Sequence, residues 1–387
     1  MNLEELVESF EREYGGAPRV FRAPGRVNLI GEHTDYNDGF VLPVAIEAST
    51  YVLASHRPDR RVRATSLTMK DAAEFDLSAP GRPFRNSWLD YVEGTARALL
   101  GRGVQIGGAN LLIASDIPPG AGLSASAALE IAVGLALSAV SGQAVPPLTL
   151  ALAGQQAEHE YVGTRCGIMD QYVVAHARAR HALLIDCREL TSRAVPFDLD
   201  GLVLILCDTR TKHELAFSAY NQRREECERA VAVLARFLPG IRALRDVGPG
   251  DFEAHRERLD ATIERRTRHV IAENERTLAA ADALARGDMV GLGRLMTRSH
   301  ESLRDDFEVS SRELDVAVAA ALEVPGVCGS RMTGGGFGGS TVSLVRRESV
   351  EALKKLVAER FESEFGRLPE FLVTAAGPGA EELVEGP

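Results

Sequence analysis

The sequence predicts a two-domain fold that combines helices with β-strands. At 387 residues, the chain is longer than a single hydrophobic core usually supports, so two domains are expected. Apolar runs of strand length alternate with helical segments up to Pro196, and long helical patterns dominate after it. We therefore place the domain boundary there and predict domains at residues 1–195 and 196–387.

The first half begins with an amphipathic helix, since the apolar residues among positions 3–10 fall on one helical face between acidic residues. A strand then begins at Val20, and we expect Pro24 and Gly25 to interrupt it. The remaining elements predicted in this half are a strand at 40–46, alternating strands from residue 51, a loop near 78–87, a helix at 88–100, a strand at 106–114, helices at 127–140 and 148–161, and a strand at 181–185.

The second half is mainly helical by the same criterion. Arginines and glutamates occupy the outer faces of its helices, so we expect most of these charges to be solvated. The last seven residues, 381–387, are predicted to form a mobile tail. The other elements predicted here are a strand at 202–207, helices at 218–237, 261–284, 290–302 and 350–365, and a strand at 370–375.

The composition excludes some partners and locations. A net charge of −11 argues against nucleic acid or an anionic membrane as the main partner. Five cysteines without metal-ligand spacing indicate free thiols in a reducing cytoplasm. The acidic N-terminal helix differs from a secretory leader, and no apolar run approaches the roughly 18 residues of a membrane span. We expect a cytoplasmic protein that binds neither nucleic acid nor a membrane.

The segment 116–130, DIPPGAGLSASAALE, has the composition of a phosphate-binding loop followed by a helix. Its prolines fix the entry, and its glycines allow backbone N–H groups to turn toward an anion. A phosphate at the N-terminus of the helix would meet unpaired N–H groups and the positive end of the helix dipole. The loop lacks the Gly-Lys step of a Walker motif. The alternative is an ordinary helix N-terminus with a serine cap.

Two further segments carry candidate ligand groups. Residues 26–38 hold many side chains that donate or accept hydrogen bonds, which suits a polyhydroxylated ligand; a solvated loop is the alternative. Five glycines between positions 334 and 339 indicate backbone that passes close to another group, with a flexible turn as the alternative.

The sequence pattern alone leaves two alternative roles for each of two residues, Asp170 and Trp88. Asp170 lies in a glycine-containing turn before an apolar segment, so it is either a helix cap or a general base held near a ligand. Trp88 is the only tryptophan, and it either belongs to the core or lines an adenine pocket.

Three separated segments resemble, in order and spacing, the signature motifs of the GHMP small-molecule kinases. They lie at 22–37, 118–128 and 333–340. The first contains GRVNLIGEHTDYN, which is similar to the galactokinase signature, and GIMDQ, SAYNQRR and FLVTAAGPGA also resemble galactokinase segments. The resemblance implies an α+β, two-domain GHMP kinase fold. Its N-terminal domain would be a ribosomal-protein-S5-domain-2-like α/β domain and its C-terminal domain ferredoxin-like, with the active site in the cleft between them.

The resemblance also implies a reaction, the transfer of the ATP γ-phosphoryl group to the C1 hydroxyl of α-D-galactose in galactose catabolism. Asp170 matches the catalytic base of the family. Arg26 matches an arginine between that carboxylate and the transferred phosphoryl group, where a cation would keep Asp170 ionised. The residues that match sugar contacts are Glu32, His33, Asp35, Gly167 and Tyr220.

The implied cofactors are ATP and Mg²⁺. Ser126 and Glu158 match the magnesium ligands, and Trp88 matches an aromatic residue beside adenine. The implied partner is D-galactose, and the implied assembly is a monomer, with a dimer as the alternative. The residues whose backbone N–H groups would wrap the triphosphate are Gly120, Ala121, Gly122, Leu123, Ser124, Ala125 and Ser126.

The chain departs from the family pattern at two positions. Ala125 stands where many galactokinases have the middle serine of three, and Ser340 stands where a cysteine is common. Two other activities stay open: a related sugar-1-kinase such as N-acetylgalactosamine kinase, and a non-catalytic galactose-sensing regulator. The full-length phosphate loop and the presence of Asp170 and Arg26 argue against the regulator.

Overall fold

A computed structural model describes residues 1–211 and 216–383 of the chain. The helices are α1 (Leu3–Tyr14), α2 (Trp88–Gly101), α3 (Ala125–Val140), α4 (Pro147–Ala157), α5 (Met169–His176), α6 (Ala216–Leu234), α7 (Pro249–His255), α8 (Ala261–Ala285), α9 (Met289–Asp305), α10 (Arg312–Leu322) and α11 (Val350–Phe365). The strands are β1 (Arg19–Asn28), β2 (Phe40–Val41), β3 (Pro43–Arg57), β4 (Arg61–Ser66), β5 (Asp71–Asp76), β6 (Gly108–Ser115), β7 (His181–Asp186), β8 (Thr191–Pro196), β9 (Leu202–Asp208), β10 (Val327–Thr333), β11 (Ser340–Arg346), β12 (Glu370–Thr374) and β13 (Glu381–Leu383).

Three β-sheets organise these elements. The first has the strand order β13-β1-β3-β6-β4-β5, in which β4 and β6 are parallel and the other neighbours are antiparallel. The second has the order β10-β11-β9-β12 and is antiparallel. Strands β2, β7 and β8 form a small third sheet. Together with the helices, these sheets give the α+β fold that the motifs imply.

Helix α3 lies at the centre of the first half because it is apolar on nearly all sides. Ten of its 16 residues are buried, and it packs against β1, β3, α2 and α4. The phosphate loop therefore runs from a strand of the first sheet directly into a buried helix, and both ends of the loop are fixed. Among the described residues, no helix has the length and apolar composition needed to cross a membrane.

A second apolar core lies among the helices of the second half. Leu234, Phe252, Val270 and Phe307 belong to it, and Tyr36 from the loop after β1 packs against it. The loop after β1 thus contacts both halves of the protein. Residues that follow β1 are positioned by side chains from distant parts of the chain.

The structure corrects two predicted element bounds. Pro24 and Gly25 do not interrupt the first strand, because β1 continues through them with a bulge, where its register against β3 shifts between Pro24 and Arg26. The helix predicted at 148–161 ends as an α-helix at Ala157 and continues as a π-helical turn, Glu158–Val162. Such turns are frequent at functional sites, and this one begins at a predicted magnesium ligand.

The predicted mobile tail is wrong for residues 381–383. They form β13, which pairs with β1 through Val20, Phe21 and Arg22. Residues 384–387 lie outside the described part of the chain. The last described strand therefore belongs to the first sheet, and the domain boundary between residues 195 and 196 stays a prediction.

Candidate active site

The phosphate loop connects β6 to α3 and has left-handed backbone at three positions. Gly120, Gly122 and Ser124 have φ angles of 78°, 74° and 59°, which the glycines adopt without strain. Ser124 precedes α3, but its side chain does not cap the helix, so the serine-cap interpretation is wrong. Its hydroxyl instead donates a hydrogen bond of 2.5 Å to Oδ2 of Asp170.

Asp170 and Arg26 form a bidentate ion pair. Nε and Nη2 of Arg26 each lie 2.7 Å from a carboxylate oxygen of Asp170, and Nη1 donates to the carbonyl of Gly122 at 2.7 Å. Asp170 is the second residue of α5, whose cap position is Ile168, so the helix-cap interpretation of Asp170 is wrong. Arg26 thereby connects this carboxylate to the phosphate loop.

Two adjoining cavities meet at the Asp170–Arg26 pair. The larger, about 700 Å³, is lined by the phosphate loop and the start of α2, and the smaller, about 280 Å³, by the loop after β1 and the segment before α5. Ala121 lines neither cavity, because it is buried and its carbonyl accepts a hydrogen bond from Ser340 at 2.6 Å. The other predicted phosphate-loop residues line the larger cavity: Gly120, Gly122, Leu123, Ser124, Ala125 and Ser126.

The smaller cavity contains all of the predicted sugar contacts. These are Glu32, His33, Asp35, Gly167 and Tyr220. Gly167 makes room for Asp35, because a Cβ atom at this position would lie 2.0 Å from Oδ2 of Asp35. Nδ1 of His33 lies 2.8 Å from the hydroxyl of Tyr36, whereas its buried Nε2 makes no hydrogen bond of normal geometry among the described residues, although the Gly335 backbone lies near the ring. A buried ring nitrogen without a partner favours a ligand that supplies one.

Burial is the main influence on the pKa values of Asp35 and His33 in the smaller cavity. Burial and the nearby charge of Asp170 raise the pKa of Asp35 to about 6. Burial, with a smaller contribution from His269, lowers the pKa of His33 to about 3. The His33 ring is therefore neutral at pH 7 and offers one donor and one acceptor, whereas Asp35 is ionised and offers acceptors only.

Glu32 is more deeply buried than its predicted role suggests. Its side chain is 1% exposed and forms an ion pair of 2.6 Å with Arg331. Its carboxylate also accepts hydrogen bonds from Nδ2 of Asn28 at 2.6 Å and from the backbone N–H of Gly334 at 2.9 Å. Burial raises the pKa of Glu32, and the Arg331 charge opposes this. Protein groups thus hold this carboxylate at the wall of the smaller cavity.

Ser126 and Glu158 supply oxygen ligands beside the phosphate loop. Glu158, the first residue of the π-helical turn, lines the smaller cavity together with Ser126 and Thr164; burial raises its pKa, and these two hydroxyl side chains oppose the rise. Among the described residues, no group of three or more His, Cys, Asp or Glu side chains could hold a metal. A hydroxyl and one carboxylate fit Mg²⁺, which commonly completes its shell with water and substrate phosphates.

The glycine-rich segment at residues 334–339, which belongs to the third motif, packs on the other two motifs. A Cβ atom at Gly334 would lie 3.1 Å from the carbonyl of Gly122, and one at Gly335 would lie 3.2 Å from the ring of Tyr220. The predicted close approach of the backbone is confirmed, and its neighbours are the phosphate loop and Tyr220. The flexible-turn alternative does not explain these contacts.

Trp88 both packs against the core and faces a cavity. It is the first residue of α2 and packs partly against the main core, yet it also lines the larger cavity. Its indole N–H donates to Oδ2 of Asp71 at 3.0 Å. Met69 and Phe84 line the same cavity and are 57% and 64% exposed. The larger cavity therefore has an apolar end as well as a phosphate-binding end.

Two charged residues behind the cavities are not predicted from the sequence. Arg331 in β10 and Glu130 in α3 are fully buried. Glu130 accepts a hydrogen bond of 2.9 Å from Gln171, the residue after Asp170, and burial raises the pKa of Glu130. The one available signal was a charged residue within an apolar run, because such residues are seldom fully buried without a specific role.

Comparisons with known proteins extend these observations to the whole chain. The galactokinase galactose-binding signature matches residues 8–56, the GHMP kinase N-terminal domain matches residues 90–178, and the GHMP kinase C-terminal domain matches residues 280–363. The galactokinase of Chloroflexus aurantiacus is 50% identical over 378 residues, which cover 97% of each chain. The chain belongs to the galactokinase family.

Other galactokinases and solved structures agree with this membership. The galactokinase of Roseiflexus sp. is 48% identical over 382 residues, 98% of this chain and 97% of that one. The crystal structure of Lactococcus lactis galactokinase complexed with galactose has a TM-score of 0.94 at 36% identity, covering 98% of this chain and all of that chain. Methanococcus jannaschii mevalonate kinase shares the fold, with a TM-score of 0.65 at 17% identity. As a galactokinase-family member with GHMP kinase domains, the chain is an ATP-dependent sugar kinase.

Proposed function

We propose that the chain transfers the γ-phosphoryl group of ATP to the C1 hydroxyl of α-D-galactose, giving galactose 1-phosphate and ADP. The observation that carries this proposal is the Asp170–Arg26 pair, 2.7 Å apart, which lines both cavities. A sugar hydroxyl in the smaller cavity meets the carboxylate, and a phosphate in the larger cavity meets the guanidinium. This geometry supports direct transfer between two held substrates.

Asp170 acts as the base in this reaction. It takes the proton of the C1 hydroxyl as that oxygen bonds to the γ-phosphorus, and the bond between the γ-phosphorus and the β–γ bridging oxygen breaks, so that ADP leaves with the electron pair. Arg26 stabilises the negative charge on the moving oxygens. The hydroxyl of Ser124 orients the Asp170 carboxylate through its 2.5 Å hydrogen bond. The backbone N–H groups of the phosphate loop hold the triphosphate.

Ser126 and Glu158 are the residues that would hold Mg²⁺. When bound, the ion neutralises phosphate charge and fixes the orientation of the triphosphate. Their proximity supports this assignment, because both side chains line the smaller cavity and the Ser126 hydroxyl lies close enough to the Glu158 carboxylate to oppose the rise in its pKa. Burial disfavours the charged form of Glu158, and a cation at this position would offset that cost.

The sugar is recognised by donors and acceptors on different sides of the smaller cavity. The ionised Asp35 accepts hydrogen bonds from sugar hydroxyls, and the neutral His33 offers its unpartnered Nε2. Gly167 and Tyr220 supply further contacts, and the buried Glu32 forms part of the wall. We assign discrimination between C4 epimers to this set, because a misplaced hydroxyl would leave one of these groups unpaired.

Trp88 binds the adenine ring at the apolar end of the larger cavity, where Met69 and Phe84 are also exposed. We also propose that the protein is a cytoplasmic monomer whose partners are small molecules rather than nucleic acid or membrane. The net charge of −11 and the five free cysteines support this location and these partners. Light scattering would distinguish a monomer from a dimer.

A coupled assay of ADP release with ATP and Mg²⁺ tests the proposed function. The sugar panel comprises galactose, glucose, talose, 2-deoxygalactose and N-acetylgalactosamine, with mevalonate as a non-sugar acceptor. Turnover confined to galactose and its C2 variants supports the proposal. A preference for N-acetylgalactosamine would make that sugar, rather than galactose, the substrate of the protein. Binding of galactose and ATP without turnover would point to a regulator and make Ala125→Ser the next variant to measure.

Asp170→Asn tests the base. We expect kcat to fall by about 10²-fold or more, since the amide cannot accept the proton, while ATP binding and the fold persist. Steady-state kinetics and calorimetric ATP titration measure the two effects. Asp198→Asn is the control, because Asp198 is 71% exposed and its one ion pair among the described residues is with Arg180. Near-normal turnover by Asp170→Asn would remove Asp170 from the base role.

A further inference from the structure

Arg331 forms a fully buried contact between the two large sheets. It lies in β10 of the second sheet, and its side chain is not exposed. Its Nη1 lies 2.6 Å from Oε2 of Glu32 and donates to the carbonyl of Asn28 at 3.3 Å. Asn28 ends β1 of the first sheet, and Glu32 lies in the loop that follows. One nitrogen of Arg331 therefore fixes the start of the sugar-contact loop.

The Glu32 carboxylate also binds the glycine-rich segment at residues 334–339 and the threonine before it. Its Oε2 contacts Arg331 and Asn28, while its Oε1 accepts hydrogen bonds from the backbone N–H of Gly334 at 2.9 Å and the hydroxyl of Thr333 at 3.4 Å. Glu32 and Gly334 both line the smaller cavity, and Arg331 does not. Arg331 thus acts on the cavity wall indirectly, chiefly through Glu32.

Stability alone does not explain this arginine. Its Nε and Nη2 are buried and have no partner among the described residues. Unpaired buried donors are costly, and an apolar pair of similar volume often stabilises a protein as well as a buried ion pair does. A charge kept under these conditions is more often linked to a specific arrangement of its partners.

We propose that Arg331 is a positioning residue for the sugar cavity, holding the Glu32 carboxylate and, through it, the Gly334 backbone in the arrangement that receives the sugar. This inference rests on the proposed function, which places the sugar in the smaller cavity. The apolar end of the larger cavity, at Trp88, Met69 and Phe84, lies outside this chain of contacts, which reaches the phosphate loop where Gly334 packs against Gly122. The KM for the sugar is therefore the quantity that depends on Arg331.

The test is to measure both substrate KM values in Arg331→Met, Arg331→Lys and a matched control. We expect Arg331→Met to raise the sugar KM by at least about 10-fold and to change the ATP KM by less than about 2-fold. Arg331→Lys recovers part of the loss, because only Nη1 makes contacts and a single ammonium group can replace it. Arg266→Met is the control, because Arg266 is 2% exposed, pairs with Glu226 at 2.9 Å and lines neither cavity.

The double variant Glu32→Gln/Arg331→Met separates positioning from folding. Removing both charges leaves no unpaired buried charge, so its Tm lies above that of Arg331→Met, while the sugar KM stays high. Equal sugar KM values in Arg331→Met and the wild type would overturn the proposal. So would equal increases in the two KM values, or the same sugar effect in Arg266→Met.

The wild type in the same assays separates this inference from the proposed function. If it turns over a different sugar, the proposed substrate fails, and the KM comparison is made with that sugar. If no sugar is turned over, calorimetric titration with galactose gives the comparison. Weaker galactose binding by Arg331→Met than by Arg266→Met then supports the positioning role, and equal binding overturns it.

Discussion

Asp35 links the titration of one carboxyl group to sugar binding. Burial and the charge of Asp170 raise its pKa from 3.8 to about 6. The folded protein therefore binds this proton more tightly than the unfolded chain, and the resulting stabilisation is complete below about pH 4 and lost as the pH rises through about 6. Only the ionised carboxylate serves as a pure acceptor. We predict that kcat/KM for galactose falls as the pH drops from about 7 to about 5, with an apparent pKa near 6.

Asp35→Asn is the matched variant for this pH profile. It keeps one acceptor oxygen but no charge, so its kcat/KM should be lower by about 10-fold and flat over the same pH range. It also removes an unfavourable buried charge, so its Tm at neutral pH should equal or exceed that of the wild type. An inflection near pH 6 that persists in Asp35→Asn would assign the titration to another group and contradict the prediction.

For single residues, the motifs identify many side chains that face the cavities but not the charged side chains behind them. Asp170 and Arg26 are 144 positions apart, yet each lies in a recognisable motif, and the structure pairs them. Arg331 and Glu130 lie beside motifs, and the one local signal, a charge within an apolar run, does not identify the partners that bury them. The burial of a charged side chain depends on partners from distant segments, which spacing does not reveal.

At the scale of elements, the phosphate loop has a strained residue that also orients Asp170. Ser124 has left-handed backbone, and its hydroxyl donates to Asp170. Ser124→Gly and Ser124→Ala both lose this hydrogen bond, so we predict that kcat falls by about 10-fold in each. Only glycine relieves the backbone strain, which is about 1 kcal/mol, so Ser124→Gly should have the higher Tm.

Kinetics and thermal unfolding of the two Ser124 variants check this prediction. Each of the two variants is the control for the other, because both lack the hydroxyl and they differ only in the Cβ atom. A normal kcat in either variant would remove Ser124 from the orientation of Asp170. A Tm for Ser124→Ala that matches or exceeds that of Ser124→Gly would show that the left-handed backbone is not strained in the protein.

Elements with a strong local pattern are confirmed, and those shaped by packing are not predicted well. The helix predicted at 350–365 matches α11, because its apolar period and its closing Gly366 are both local signals. The π-helical turn at Glu158–Val162 has no such signal. It inserts an extra residue where α4 approaches the phosphate loop, and it brings Glu158 to Ser126. Tertiary contacts at the site, rather than helix propensity, decide that geometry.

At the scale of the whole molecule, the site is assembled from contacts that cross between distant parts of the chain. The Glu32–Arg331 pair connects two sheets, and the Ser340–Ala121 hydrogen bond connects the third motif to the phosphate loop. The resemblance to a family provides this overall arrangement, whereas the residues alone predict only two domains. Neither the family resemblance nor the residue pattern predicts the pairing of β1 with β13, because this pairing joins residues about 360 positions apart.

Strand β13 covers the edge of the first sheet. Leu383 packs against the apolar cluster of α1 and β1, and Arg19 forms a bidentate pair with Glu382 at 2.7 Å. We predict that a variant ending at Ala380 has a Tm lower by about 4 °C, because it loses the burial of Leu383 and the strand pairing, together about 1–2 kcal/mol. A variant ending at Leu383 is the length control and should unfold like the full chain.

The double variant Glu381→Gln/Glu382→Gln separates the strand from its charges. It removes both ion pairs, with Arg22 and Arg19, but keeps the backbone pairing and Leu383. Exposed ion pairs contribute about 0–1 kcal/mol, so its Tm should fall by less than half of the effect of ending the chain at Ala380. A larger fall would mean that the charges hold the strand in place. In that case the loss at Ala380 should shrink at high salt, since screening weakens exposed pairs and leaves apolar burial intact.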